Sequence, residues 1–302
     1  MIIVFPAFHS GYGIGMLRGW ARGGAHRDPA LASSTMRTHA LMYHDIVDGD
    51  PDQSGFVGAG SARYKLSGAR FKAHLDALRE ALSDEPGVVD DLLAGDSGRA
   101  AWLLTFDDGG ASALAAGEEL ARRQWPGHFF ITTGLIGQRG FLDAPAIIEL
   151  RTMGHIIGSH SASHPSRMSS LPDVELGEEW RASVESLADL LGEEIRSASV
   201  PGGYYAKRVA RAAAEAGIAA LFTSEPVRTT QHVGRCLVVG RVSMKTGTSA
   251  VDASRIAAGD WGPWLQEWVG WNVRKSAKAV LGKGYERLRG GVLSDQAELE
   301  SH

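Results

Sequence analysis

The chain has 302 residues and a single cysteine, Cys236, which excludes an intrachain disulfide framework. That cysteine stands in the apolar run Cys236-Leu237-Val238-Val239, as a small buried hydrophobe does, rather than in the polar setting of a reactive thiol. No segment approaches the ~20 consecutive apolar residues of a membrane-spanning helix. Basic excess is also missing: the net charge is −4 and the pI about 6.3, which gives no reason to expect nucleic acid as a partner. There is no internal repeat and no low-complexity tract. The segment Met1-Ile2-Ile3-Val4-Phe5-Pro6 lacks a basic region ahead of its apolar residues, and Arg18, Arg22 and Arg27 follow rather than precede it. It is a poor secretory signal, and the cytoplasm is the expected location. Gly11-Tyr12-Gly13-Ile14-Gly15 lacks the spacing and the strand–helix setting of a nucleotide loop.

What is present is alternation. Short apolar runs at Ala40–Ile46, Ala101–Phe106, His128–Thr132, His155–Ser159, Ala198–Val200, Ala219–Thr223 and Leu237–Val242 predict strands. Between them, helical patterns run over Gly68–Leu82, Ser112–Arg123, Ala144–Met153, Val174–Leu191, Ala206–Ala216 and Ser249–Ala258. Asp143 and Pro145 read as a helix start. This alternation argues for an α/β fold with a parallel sheet or barrel, its functional groups gathered at the C-terminal ends of the strands. Three regions are expected: a flexible extension over 1–35, a catalytic domain over 36–258, and a Trp-rich basic helix and tail over 259–302. Pro51 to Tyr64 reads as a long loop after the first strand.

Two motifs carry chemistry. Thr105-Phe106-Asp107-Asp108-Gly109 ends one predicted strand, and 52 residues after Asp108 comes His160-Ser161-Ala162-Ser163-His164-Pro165 at the end of another. Adjacent carboxylates leaving a strand can aim at different targets, one at a cation and one free as a base. Alone they could equally cap the next helix. Two histidines spaced i, i+4 fall on one face if the segment is helical, a recurring way to grip one transition metal. Alone they could equally be surface residues. Both motifs at strand C-terminal ends are more specific than either, and together they are the parts of a metal hydrolase site.

These two motifs resemble the first signature motifs of the polysaccharide deacetylase family, the NodB-homology carbohydrate esterases. His128-Phe129-Phe130-Ile131-Thr132 and Gly154-His155-Ile156-Ile157-Gly158-Ser159 resemble its framework strands, and the likeness covers about residues 38 to 245. The resemblance implies a distorted (β/α) barrel and a divalent metal, usually zinc, with cobalt or nickel as alternatives. It implies Asp108, His160 and His164 as metal ligands, Asp107 as catalytic base, and an N-acetylated glycan as substrate.

Amide cleavage also needs a proton for the leaving nitrogen. His44, in Leu41-Met42-Tyr43-His44-Asp45, is the candidate acid; its position is similar to a subgroup in which that histidine comes early in the chain. Asp45 either orients the imidazole or begins the loop. No late Leu-x-His motif is found. The chain departs from the family at its third motif, which carries an arginine two residues before a proline. Here Ser199-Val200-Pro201 puts serine in that place, Arg196 lies three residues upstream, and Arg241 on a later strand is the candidate substitute. Gly202, Gly203, Tyr204 and Arg241 are candidate substrate or oxyanion residues, although the glycines could serve only a turn.

The expected activity is therefore hydrolysis of N-acetyl groups on amino sugars in a polysaccharide or its precursor. Alternatives are a deformylase, an O-acetyl esterase or a cyclic amidohydrolase on the same scaffold, or a non-catalytic glycan- or membrane-binding protein. The last arises from Trp261, Trp264, Trp268 and Trp271, a helical stripe followed by Arg274, Lys275, Lys278, Lys283, Arg287 and Arg289. The stripe reads either as a helix docked on the barrel, as a surface for peripheral membrane contact, or as a sugar-stacking face.

Overall fold

In the computed structural model of the chain, residues 36–273 are described except 97, 99 and 100. They all fall in one compact unit, Ser34–His302. The expected extension over 1–35 and the basic tail from 274 lie outside the described residues.

Nine strands form one sheet: β1 His39–Tyr43, β2 Trp102–Phe106, β3 His128–Ile131, β4 Ile156–Ser159, β5 Ser197–Ser199, β6 Ala220–Phe222, β7 Gln231–Val233, β8 Cys236–Val239 and β9 Arg241–Ser243. Their order is β7-β8-β6-β5-β4-β3-β2-β1-β9, and every pair is parallel except the β7–β8 hairpin. Strands β2, β3 and β8 are buried along their whole length, which is why they read as continuous apolar runs rather than as alternation.

The helices are α1 Ala59–Ala62, α2 Gly68–Ala81, α3 Val89–Ala94, α4 Ala113–Ala121, α5 Ala144–Thr152, α6 Asp173–Leu191, α7 Lys207–Glu215, α8 Ala250–Ala257 and α9 over 261–273. Their starts follow local chemistry. Ser67, Asp143 and Ser249 each accept a backbone N–H of the first turn of α2, α5 and α8, an exchange worth about 1 kcal/mol per cap. Phe71, Leu75 and Leu78 of α2 share one buried core with Ala253, Ile256 and Ala257 of α8, and with Tyr43 and Phe106 from the sheet.

One predicted strand, Leu237–Val242, proves to be two. The chain leaves β8 near one end of the strand order and, after Gly240 alone, enters β9 at the other end. A Cβ at Gly240 would lie 2.3 Å from the Val227 carbonyl oxygen and 2.6 Å from that of Glu225. Only glycine permits so close an approach. Thr38 N–H donates to Arg228 O and Thr230 N–H to Met36 O, closing the same gap lower down. The sheet thus curls onto itself as a distorted (β/α) barrel, the expected fold class. Arg241 is carried across to stand beside β1, where it pairs in register with Ala40.

Candidate metal centre and its buried ion pair

The site is built at the C-terminal ends of β1, β2, β4 and β5. Immediately after β2 the backbone turns through two left-handed residues, Asp108 (φ 75°) and Gly109 (φ 76°). For a non-glycine residue that conformation costs about 1–2 kcal/mol, and it persists only where the surroundings impose it. The turn sends the two carboxylates apart: Asp107 into the barrel, Asp108 toward the histidines.

His160 and His164 do not lie on a helix. They follow β4 in a loop held in shape by two more left-handed residues, Ser161 (φ 66°) and His164 itself (φ 56°). Glu179 of α6 accepts the N–H groups of Ala162 (3.0 Å) and Ser163 (2.9 Å) and the Ser163 hydroxyl (2.5 Å). Ser161 Oγ accepts the His164 N–H at 3.1 Å. These bonds fold the loop back so that both rings meet Asp108. Oδ1 of Asp108 lies 3.2 Å from His160 Nε2 and 3.4 Å from His164 Nε2. One donor atom from each residue falls within 4.8 Å of the others. Phe56, from the loop after β1, rests on the His164 ring at 4.5 Å between centroids.

A metal ion fits this donor set on a protonation argument. Nδ1 of His160 faces the Ser199 carbonyl oxygen (3.1 Å) and the Ser199 hydroxyl (2.5 Å), and that hydroxyl donates to Asp107 Oδ1 at 3.0 Å. A carbonyl can only accept, and the hydroxyl has spent its proton, so Nδ1 must carry hydrogen. On a neutral ring Nε2 then presents a lone pair to the Asp108 carboxylate at 3.2 Å. Two acceptors facing each other repel unless a cation lies between them or the ring is protonated. Burial alone would raise the Asp108 carboxyl; with a proton on the Nε2 atoms of His160 and His164 that face it, hydrogen bonds from both rings hold it well below the ordinary carboxylate range.

Asp107 is gripped from the other side. Arg241 Nη1 donates to Oδ1 and Nη2 to Oδ2, both at 2.7 Å. The guanidinium is itself anchored, Nε on Thr223 O (3.2 Å) and Nη1 on Thr105 Oγ1 (3.1 Å). Arg241 is 1% exposed and Asp107 4%. Burial pushes the Asp107 carboxyl up; Arg241, with His160, outweighs it and holds the group below the usual value. An ionised carboxylate has about four acceptor positions, and Arg241 and Ser199 fill three. The fourth, on Oδ2, remains for another proton donor.

Other expected residues fall into place unequally. Arg241 is engaged beneath Asp107, in the place expected of a substitute for the missing guanidinium, and is buried. Asp45 begins the loop and does not orient His44: its carboxylate accepts from Ser54 Oγ (2.6 Å) and Ser112 Oγ (2.8 Å) in a niche kept open by Gly55 and Gly110. His44 follows β1 with its ring 4.9 Å from that of Tyr64, and its buried Nδ1 has no hydrogen-bond partner among the described residues. Gly202 and Gly203 make a left-handed turn, and a Cβ on them would meet Ser166 O at 2.5 Å and Ser224 Oγ at 2.7 Å. Tyr204 lies under the Arg167 guanidinium at 4.7 Å. His155 is a buried structural residue, accepting the Gly127 N–H and facing Gly117 O.

The polysaccharide deacetylase family model matches residues 94–221. The matched segment contains Asp107, Asp108, His160, His164 and Ser199 but neither His44 nor Arg241. The fold is that of solved deacetylases. The deacetylase PplD of Streptococcus pyogenes, in complex with acetate, is 18% identical, with 72% of this chain and 96% of that chain covered at a TM-score of 0.61. IcaB from Ammonifex degensii is 22% identical over 74% of this chain and 97% of its own, also at 0.61. BC0361, a polysaccharide deacetylase from Bacillus cereus, is 20% identical over 74% and 69%, again at 0.61. No curated protein matches the chain. The resemblance read from the motifs thus has a counterpart in residues 94–221, which match the polysaccharide deacetylase model, and the fold is similar to that of the solved deacetylases.

Proposed function

We propose that the protein is a metal-dependent amidohydrolase that removes N-acetyl groups from amino sugars of a polysaccharide or its precursor. The observation that carries this reading is the division of labour between adjacent carboxylates. Asp108 meets two imidazoles, whereas Asp107 is held ionised by Arg241 and keeps one acceptor position open.

Asp108, His160 and His164 would hold a divalent metal, zinc or else cobalt or nickel. Bound there, such an ion supplies Lewis acidity and lowers the pKa of water from about 15.7 to about 7. Asp107 accepts the proton of the attacking water through its open position on Oδ2. Arg241 keeps that carboxylate ionised and fixed in angle. Ser199 ties His160 to Asp107, setting the tautomer that leaves Nε2 free as a donor. His44 is the general acid for the leaving nitrogen. Its Nδ1 has no hydrogen-bond partner among the described residues. Gly202, beside Ser166, and Gly203 and Tyr204 after it are the proposed substrate contacts.

The test is release of acetate and of formate from a panel of N-acetylated, N-formylated and O-acetylated sugars, with and without chelator. Chelator-sensitive acetate release from N-acetyl sugars, lost in Asp107→Asn, is the expected outcome. Formate release alone, or acetate from esters alone, would move the assignment to the corresponding alternative. Full activity in Asp107→Asn would overturn it.

A further inference from the structure

Helix α9 has two faces of opposite character. Pro263, Trp264, Glu267, Gly270 and Trp271 face the barrel or are partly covered; Trp264 packs against the main core and Glu267 pairs with Lys245. On the other side Trp261 is 61% exposed, Leu265 48%, Trp268 41%, Val269 46% and Val273 62%. At 100° per residue these five lie within an arc of roughly 140°, and no charged residue shares it. Ten large hydrophobics are exposed among the described residues, and half of them stand on this one 13-residue helix. The other five are scattered singly, as on any soluble surface.

Charge singles out the occupant. The 16 residues that follow α9, 274–289, hold Arg274, Lys275, Lys278, Lys283, Arg287 and Arg289 against one acid, Glu286, in a chain of net charge −4. An uncharged apolar face leading directly into a basic segment complements a surface that is apolar below and anionic above. Tryptophan, with an apolar body and one N–H, favours that boundary. No described helix is long and apolar enough to cross a membrane, so the contact would be peripheral.

We propose that α9 is an interfacial helix, its Trp261–Val273 face seated in the headgroup boundary of an anionic lipid membrane with the 274–289 segment supplying electrostatic attraction. Its path sets the orientation. Arg228, which contacts His39 at the N-terminal end of β1, lies over the Trp261 ring at 4.6 Å; six residues on, Glu267 reaches Lys245, beyond the C-terminal end of β9. The helix therefore runs along the barrel wall toward the end that holds the candidate site. If the deacetylase reading holds, the substrate is a glycan presented at that membrane.

The test is co-sedimentation of the full chain with phosphatidylcholine vesicles and with vesicles containing phosphatidylglycerol. Binding to the anionic vesicles alone, weakened about tenfold or more by high salt, is expected. The triple variant Leu265→Gln, Trp268→Gln, Val269→Gln should abolish it while far-UV dichroism and chelator-sensitive activity on a soluble substrate stay at the wild-type level. If that variant loses its fold, acrylamide quenching of wild-type tryptophan emission decides: added anionic vesicles should shield it. No vesicle binding by the wild type would overturn the proposal, as would emission already shielded in vesicle-free solution. So would a triple variant that only converts a dimer to a monomer in sedimentation equilibrium, because a second copy would then be the occupant.

Discussion

Arg241 and Asp107 stand 134 residues apart in sequence and meet as a bidentate pair, Nη1–Oδ1 and Nη2–Oδ2 both 2.7 Å, inside the barrel. Removing the guanidinium in Arg241→Ala strands a buried carboxylate, which costs about 3–5 kcal/mol of stability. The same change lets burial raise the Asp107 pKa, so kcat/KM should fall and its acidic limb should move to higher pH. Arg241→Lys keeps the charge but not the fork and should recover part of the stability and less of the rate. Thermal unfolding and a pH–rate profile check both.

Ser199→Ala cuts the link between His160 Nδ1 and Asp107 while leaving the Ser199 carbonyl in place. Loss of such a supporting hydrogen bond lowers metal affinity about 10–100-fold. Competition against a chromophoric chelator measures it. Unchanged affinity would mean that Ser199 only fills space.

Metal removal should destabilise the protein. At a free metal concentration of ~100 times Kd, the linkage contributes about 2.7 kcal/mol. Added zinc should raise the Tm of the metal-free protein, and Asp108→Asn should flatten that rise.

His128 is fully buried, accepts the Val89 N–H on Nε2 and faces Leu104 O through Nδ1, an arrangement for the neutral ring. Burial drives its pKa from 6.5 down to about 4. Between those values the unfolded chain binds a proton that the folded chain refuses, so stability falls as pH drops through this window and levels off below it. The loss is of order 3 kcal/mol. Urea midpoints for wild type and His128→Gln across that range should show the variant with the shallower dependence.

Lys65 is buried and its Nζ donates to three backbone carbonyls, Pro51, Ser54 and Phe56, each at 2.6 Å. Lys65→Met leaves all three without that donor, at about 1–3 kcal/mol for each that water does not reach. Because Phe56 rests on His164, KM should rise more than kcat falls, and limited proteolysis should cut the loop between 51 and 58 sooner. Unchanged proteolysis and KM would show that the loop holds without Lys65.

The local half of the site was legible because strand ends and turn residues are written within a few positions of each other. Asp107, Asp108, His160 and His164 became candidates through the rule that parallel strands collect their functional groups at one end, and the family resemblance implied their separate roles. The i, i+4 spacing suggested a helical face and misled on geometry. A loop pinned by Glu179 and by left-handed Ser161 and His164 brings the rings together instead, and no periodicity announces such a loop. Ser199 was visible only as a departure from pattern; its bridge between His160 and Asp107 depends on how β4 and β5 pair.

What the sequence determined by itself is what short-range chemistry controls: the alternation of strands and helices, the caps at Ser67, Asp143 and Ser249, and the identity of the residues able to hold a metal. What only the tertiary structure decided is which distant groups share a space. Gly240 permits the step from β8 to β9, the pairing of β9 with β1 carries Arg241 across, and the guanidinium then meets Asp107 with both groups buried. Closure of the barrel sets that encounter, because the Coulomb energy and hydrogen-bond geometry that select it exist only once the sheet has curled.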